Sequence, residues 1–195
     1  MRGVVVFSFS RVIEAVVDEY VLGLHGIHGP KHWARVFENT QELCRATGAD
    51  PLVCGLFAVI HDSKRLNEGT DPNHGPRAAE FVRKLWINGF LKGLGEGQIL
   101  SLVDCCHEHT YVRNHSDLNV RVCADSDRLD IGRIGVQVDP RFMLTQQSHL
   151  AEYFDPAVIA GEHDQLCDAF ANLGFFVVRN SGRVFFEVNQ CQVAI

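Results

Sequence analysis

Several signatures are missing from this chain, and each absence removes a class of function. No stretch approaches the roughly 20 apolar residues that span a bilayer, so no membrane partner is expected. The N-terminus, MRGVVVFSFSRVIEAVV, has a short apolar run broken by Arg11 and no small-residue cleavage site. A secretory leader is therefore not expected, and the expected compartment is the cytoplasm. Seven cysteines are present, an odd number, and none forms a CxxC pair. That pattern excludes zinc-finger spacing and points to reduced thiols used as small core residues. A phosphate-binding P-loop, a nucleophile elbow and a dinucleotide-binding glycine fingerprint are all lacking. Positive charge is also in deficit: 18 Lys and Arg stand against 24 Asp and Glu, a net charge of -6. This argues against a nucleic acid partner, since such surfaces are basic.

What is present reads as helix. Pro30 suits a first helical position and Gly48 a C-terminal cap, with Trp33, Val36, Phe37 and Cys44 between them near the helical period. Asp50-Pro51 opens a second helix whose body, LVCGLFAVI, is apolar all round. Such a helix belongs at the centre of a bundle. Further helices are expected over Val12 to Leu24, from Pro76, over ILSLVDCCHEH after a break at Gly93, Gly95 and Gly97, and over NVRVCADSDRLDIGRIG. Val4 to Phe9 reads as a short strand or as the start of the first helix. Beyond about Asp139, PRFMLTQQSHLAEYF and AVIAGEHDQLCDAFANL read as helical. FFVVRNSGRVFFEV alternates about an Asn180-Ser181-Gly182 turn, a β-hairpin pattern that Met1 to Phe9 could extend. The expected fold class is mainly α: a helical domain over 1–140, with 141–195 as a small β-hairpin or α+β addition packed on it.

Ten histidines is a high count, and most lie between His25 and His115. The pair His61-Asp62 closes the most apolar helix, where an imidazole and a carboxylate are costly to bury without a partner. A divalent cation is one such partner. Taken alone, the pair also fits a helix C-terminus followed by a loop aspartate. His32 on the preceding helix and Asp127 on a later one add two ligand types from helices that should pack on the apolar one.

The order His, then His-Asp, then Asp resembles the HD superfamily of metal-dependent phosphohydrolases. The blocks HGPKHWARVFEN, LFAVIHDSKRLNEGTDPNHG and CADSDRLDIGRIG look like those of an uncharacterised bacterial HD-domain family, over roughly Gly26 to Pro140. The resemblance implies a bundle fold and metal ligands at His32, His61, Asp62 and Asp127. Asp125, two residues away, is the rival for the last place, and whichever aspartate is not used is expected to have an ordinary surface role. Asp62 would act as both ligand and orienter of water.

The resemblance further implies hydrolysis of a phosphate ester or anhydride in a small phosphorylated substrate, nucleotides among them. Two alternatives remain open: a di-iron oxygenase of the same superfamily, and a non-catalytic domain that binds a nucleotide. The expected cofactor is one divalent transition metal (Mn, Fe, Zn, Co or Ni, with Mg admitted), and two ions are allowed. His74 and His109 are candidates for a second ion or for substrate contact, and contact is preferred. Lys64, Arg65, Arg35 and Arg128 are candidates to grip phosphate. His25, His28, His115, His149 and His163 match no ligand position. A homo-oligomer is compatible with all of this.

Overall fold

A computed structural model describes residues 7–149, together with the backbone of 175–180 and 183–188. Six helices form the described bundle: α1 (Phe9–Glu19), α2 (Pro30–Thr47), α3 (Pro51–Ile60), α4 (His74–Ile87), α5 (Glu96–Glu108) and α6 (Leu118–Leu129). Short 3-10 turns follow at Asp130–Ile134, Pro140–Phe142 and Gln147–His149. Two backbone segments, β1 (Phe175–Asn180) and β2 (Arg183–Val188), pair antiparallel. Most of the accessory layer expected of 141–195, with the helix expected over AVIAGEHDQLCDAFANL, falls on residues outside those described, as does any strand at Met1–Val6.

The apolar helix sits at the centre, as its composition requires. Asp50 caps α3 by accepting from the amides of Leu52 and Val53, and every residue from Val53 to Ile60 is buried. Helices α1, α2, α5 and α6 all contact it. Its last residue therefore delivers His61 and Asp62 into the middle of the bundle. Helix α2 starts at Pro30, which has no amide hydrogen to lose, and stops at Gly48 with φ 81°. The interior of this end is fully buried: Trp33, Val36, Leu43 and Phe57 are each at most 1% exposed. The cysteines Cys44, Cys54, Cys105, Cys106 and Cys123 are free and buried, as core residues.

Four boundaries differ from the sequence expectation. Helix α1 ends at Glu19 rather than Leu24, because Tyr20 turns extended (ψ 119°). Helix α4 starts two residues before Pro76, at His74. Helix α6 gives way to a 3-10 turn at Asp130 instead of running on to Gly135. The described part of PRFMLTQQSHLAEYF makes two 3-10 turns, not an α-helix. There the amides of Leu144 and Thr145 donate to the carboxylate of Asp125, so they do not enter a helical ladder. Thr145 and Ser148 are buried against α6.

Candidate metal centre

Six side chains converge from five elements. His32 comes from the first turn of α2, His61 and Asp62 from the end of α3, and His74 from the start of α4. His109 follows the end of α5, and Asp127 lies in the last turn of α6. Their ligand atoms form two groups, each with all its atoms within 4.8 Å of one another: His32, His61 and Asp127, and Asp62, His74 and His109.

Asp62 links the two groups. Its Oδ2 lies 3.4 Å from His32 Nε2 and 3.7 Å from His61 Nε2, and its Oδ1 lies 3.3 Å from His74 Nε2. Asp127 Oδ1 stands 3.3 Å from His32 Nε2 and 3.7 Å from His61 Nε2. His32, His61, Asp62, His74 and His109 are buried. The Asp127 side chain keeps 23% exposure and marks the side open to solvent.

The tautomers follow from the hydrogen bonds. His61 Nδ1 lies 3.1 Å from the Ala58 carbonyl, His74 Nδ1 2.6 Å from that of Asp71, and His109 Nδ1 2.9 Å from that of Cys106. Carbonyl oxygens only accept, so these Nδ1 atoms carry the hydrogen and the Nε2 lone pairs point inward. His74 and His109 Nε2 meet at 2.9 Å, and His32 and His61 Nε2 at 3.0 Å.

Burial holds the pKa of His74 below normal, and burial with the neighbouring His61 lowers that of His109 to about 3. Two neutral rings therefore face each other lone pair to lone pair, which a shared cation turns from repulsive to favourable. Thr110 Oγ1, 3.3 Å from His74 Nε2, can donate to one of them. Burial disfavours charge on His32, but Asp127, Asp130 and Asp62 outweigh it and raise its pKa to about 10. Burial likewise opposes ionisation of Asp62 and Asp127, yet the histidines hold both well below the usual carboxylate range. A divalent metal would have to displace the proton from His32; imidazole nitrogens around two ionised carboxylates could then hold it, and the nitrogen-rich set suits a transition ion better than magnesium.

Other expected residues are placed differently. Asp125 stays out of both groups, and it is no surface residue: it is fully buried beneath 144–148. Leu144 N, Thr145 N, Thr145 Oγ1 and Ser148 Oγ all donate to it. Two residues apart on α6 does point Asp125 and Asp127 to different sides, but the chain covers the second side as well.

Among the basic residues, Arg65 reaches the centre, with Nη1 3.3 Å from Asp62 Oδ1. Lys64 turns to Glu19 and lies over the Phe81 ring. Arg35 is engaged by Asp130, and Arg128 donates to the carbonyls of Phe142, His109 and Val112. The sequence reading missed Asp130, which accepts from His32 Nδ1 at 2.7 Å. Its position three residues after Asp127, on the same side of a helix end, was the available signal.

No family model and no curated protein matches the chain. Among solved structures, it is similar to a predicted HD superfamily hydrolase from an uncultured Thermotogales bacterium, with a TM-score of 0.58 and 20% identity. The match covers 85% of this chain and 86% of the other. At that identity the likeness speaks for the fold alone, and the chain shares the fold of that structure.

Proposed function

We propose that the protein is a metal-dependent phosphohydrolase with a dinuclear centre bridged by Asp62, acting on a phosphate ester or anhydride of a small molecule such as a nucleotide. The observation that carries this reading is the division of Asp62: Oδ2 faces His32 and His61, and Oδ1 faces His74, whose Nε2 meets that of His109. His32, His61 and Asp127 would hold one ion, and His74 and His109 the other. In this reading His74 and His109 are ligands, where the sequence alone favoured substrate contact. Ions bound there would supply Lewis acidity, stabilising charge on a phosphoryl oxygen and easing deprotonation of water.

The chain's own residues supply orientation and charge. Arg65, fixed by Asp62 and by the Gly69 carbonyl, lines a cavity of about 390 Å³ together with Lys64, Arg77 and Tyr20. Arg65 Nε and Tyr20 Oη are buried and have no hydrogen-bond partner among the described residues. A substrate oxyanion is a fitting partner for the Arg65 Nε–H.

The test is elemental analysis of the purified protein, followed by a phosphatase and nucleotide screen with Mn, Fe, Co, Ni, Zn or Mg. We expect about two ions per chain and turnover that a chelator abolishes. His74→Ala and His109→Ala should each lower the content to about one. Unchanged stoichiometry with reduced turnover would return these two histidines to substrate contact. A protein that takes up no metal would sink the reading altogether. Two irons with an optical or paramagnetic signature, and oxygen consumption in place of phosphate release, would favour the oxygenase alternative.

A further inference from the structure

Each imidazole of the centre needs its Nδ1 hydrogen placed so that Nε2 presents a lone pair. His61, His74 and His109 achieve this with backbone carbonyls. His32 does not. Of the two carbonyls that precede it by about a turn, that of His28 is taken by Trp33 Nε1 at 2.8 Å. The other, that of Gly29, accepts the amides of His32 and Trp33. The acceptor comes instead from across the bundle. Asp130 opens the first 3-10 turn, is 6% exposed, and places Oδ2 2.7 Å from His32 Nδ1.

Asp130 is itself held on several sides. Arg35 donates through Nε to Oδ1 and through Nη2 to Oδ2. Arg133 Nη1 lies 3.6 Å from Oδ2 and also donates to the Asp130 carbonyl, while Arg133 Nε donates to the carbonyl of Ile27. The carboxylate is thus fixed by two guanidiniums and aimed at one ring nitrogen.

We infer that Asp130 is a positioning residue: it sets the tautomer and ring orientation of His32 for the ion at His32, His61 and Asp127, and Arg35 acts through it rather than on substrate. This rests on the metal reading above. A carboxylate behind a ligating histidine fixes the ring and raises its basicity, and its loss typically costs 10- to 100-fold in affinity.

The test is a cobalt(II) titration of the metal-stripped full chain, followed by its visible absorption, with folding checked by circular dichroism. In a His74→Ala background, where the His32 ion remains, Asp130→Ala should weaken cobalt binding about 10- to 100-fold. Asp130→Asn should weaken it less, because the amide oxygen still accepts from Nδ1. In an Asp127→Ala background, where the Asp62, His74 and His109 ion remains, Asp130→Ala should change affinity less than about 3-fold. Equal weakening of both ions, or wild-type affinity at the His32 ion, would reduce Asp130 to a structural clamp and overturn the inference. If Asp130→Ala does not fold, Asp130→Leu, which fills the space and offers no acceptor to Nδ1, decides: wild-type cobalt affinity there overturns it. Wild-type protein that binds no cobalt would instead remove the metal reading on which it stands.

Discussion

Two aspartates on one helix turn show how differently the same side chain is used. Asp125 is saturated by four donors in a dry pocket, whereas Asp127 faces His32 and His61 at the solvent side of the centre. Asp125→Ala removes the acceptor from buried donors and should cost roughly 3 kcal/mol of stability, read by denaturant unfolding, while metal content per folded chain stays at the wild-type level. Asp127→Ala should do the reverse, keeping the fold and losing the first ion. Metal loss in Asp125→Ala with retention in Asp127→Ala would reverse the assignment. His61→Ala and Asp62→Ala should be the most severe replacements, since one would remove a ligand and the other the bridge of the proposed centre. Metal retained at wild-type level in both, measured by elemental analysis, would leave the centre without a basis.

At the level of elements, the second histidine pair depends on how closely α4 meets α5. A Cβ at Gly75 would stand 2.8 Å from the Cys106 carbonyl and 3.0 Å from that of His107. Alanine gains about 1 kcal/mol in helix propensity, but backbone oxygens cannot yield as a flexible side chain can, and overpacking costs about 1–3 kcal/mol. Gly75→Ala should therefore be net destabilising and should displace His74 from His109, lowering the second ion's occupancy. A stabilised variant with two ions would contradict this.

The loop between α3 and α4 has its own clasp. Asp71 accepts from the amide of Leu66 and from Arg77, and its backbone carbonyl accepts from His74. Burial raises the Asp71 pKa, but Arg77 and the Leu66 amide outweigh it, so the folded value lies below the ordinary 3.8. The folded state then binds fewer protons than the unfolded one. The clasp's contribution is complete above the unfolded value and is lost as pH falls through the lower, folded one. Asp71→Asn should be less stable than wild type by about 2 kcal/mol at pH 7. The gap should narrow below about pH 4. A gap independent of pH in thermal melts would assign the loss to packing.

Over the whole molecule, the six ligand-type residues tie α2, α3, α4, α5 and α6 together at one point. An ion that binds only the folded chain stabilises it by mass action, about 2.7 kcal/mol at a hundredfold excess over Kd. For a chain of this length that corresponds to roughly 5–10 °C in Tm. Chelation should therefore lower Tm by about that amount, and re-addition of cobalt or manganese should restore it. An unchanged Tm would mean that the ions contribute little to cohesion of the bundle.

Local chemistry in the sequence determined much of this arrangement. The unbroken apolar run of α3 has no stable place except the centre of a bundle, so the His61-Asp62 pair had to emerge in the interior. Proline, preorganised for a first turn, and glycine, at ease in the left-handed region, fixed the ends of α2. His32, His61, Asp62 and Asp127 could be named because their types and order carry a recognisable chemistry. Tertiary structure decided the rest. Which aspartate turns to the histidines depends on the 144–148 segment covering the other, a contact between residues about twenty apart with no local signature. The joining of His74 to His109 depends on a close approach of two helices at Gly75. The pairing of Asp130 with His32 spans 98 residues. Periodicity records which face of a helix is apolar, but not which atom of another helix that face will meet.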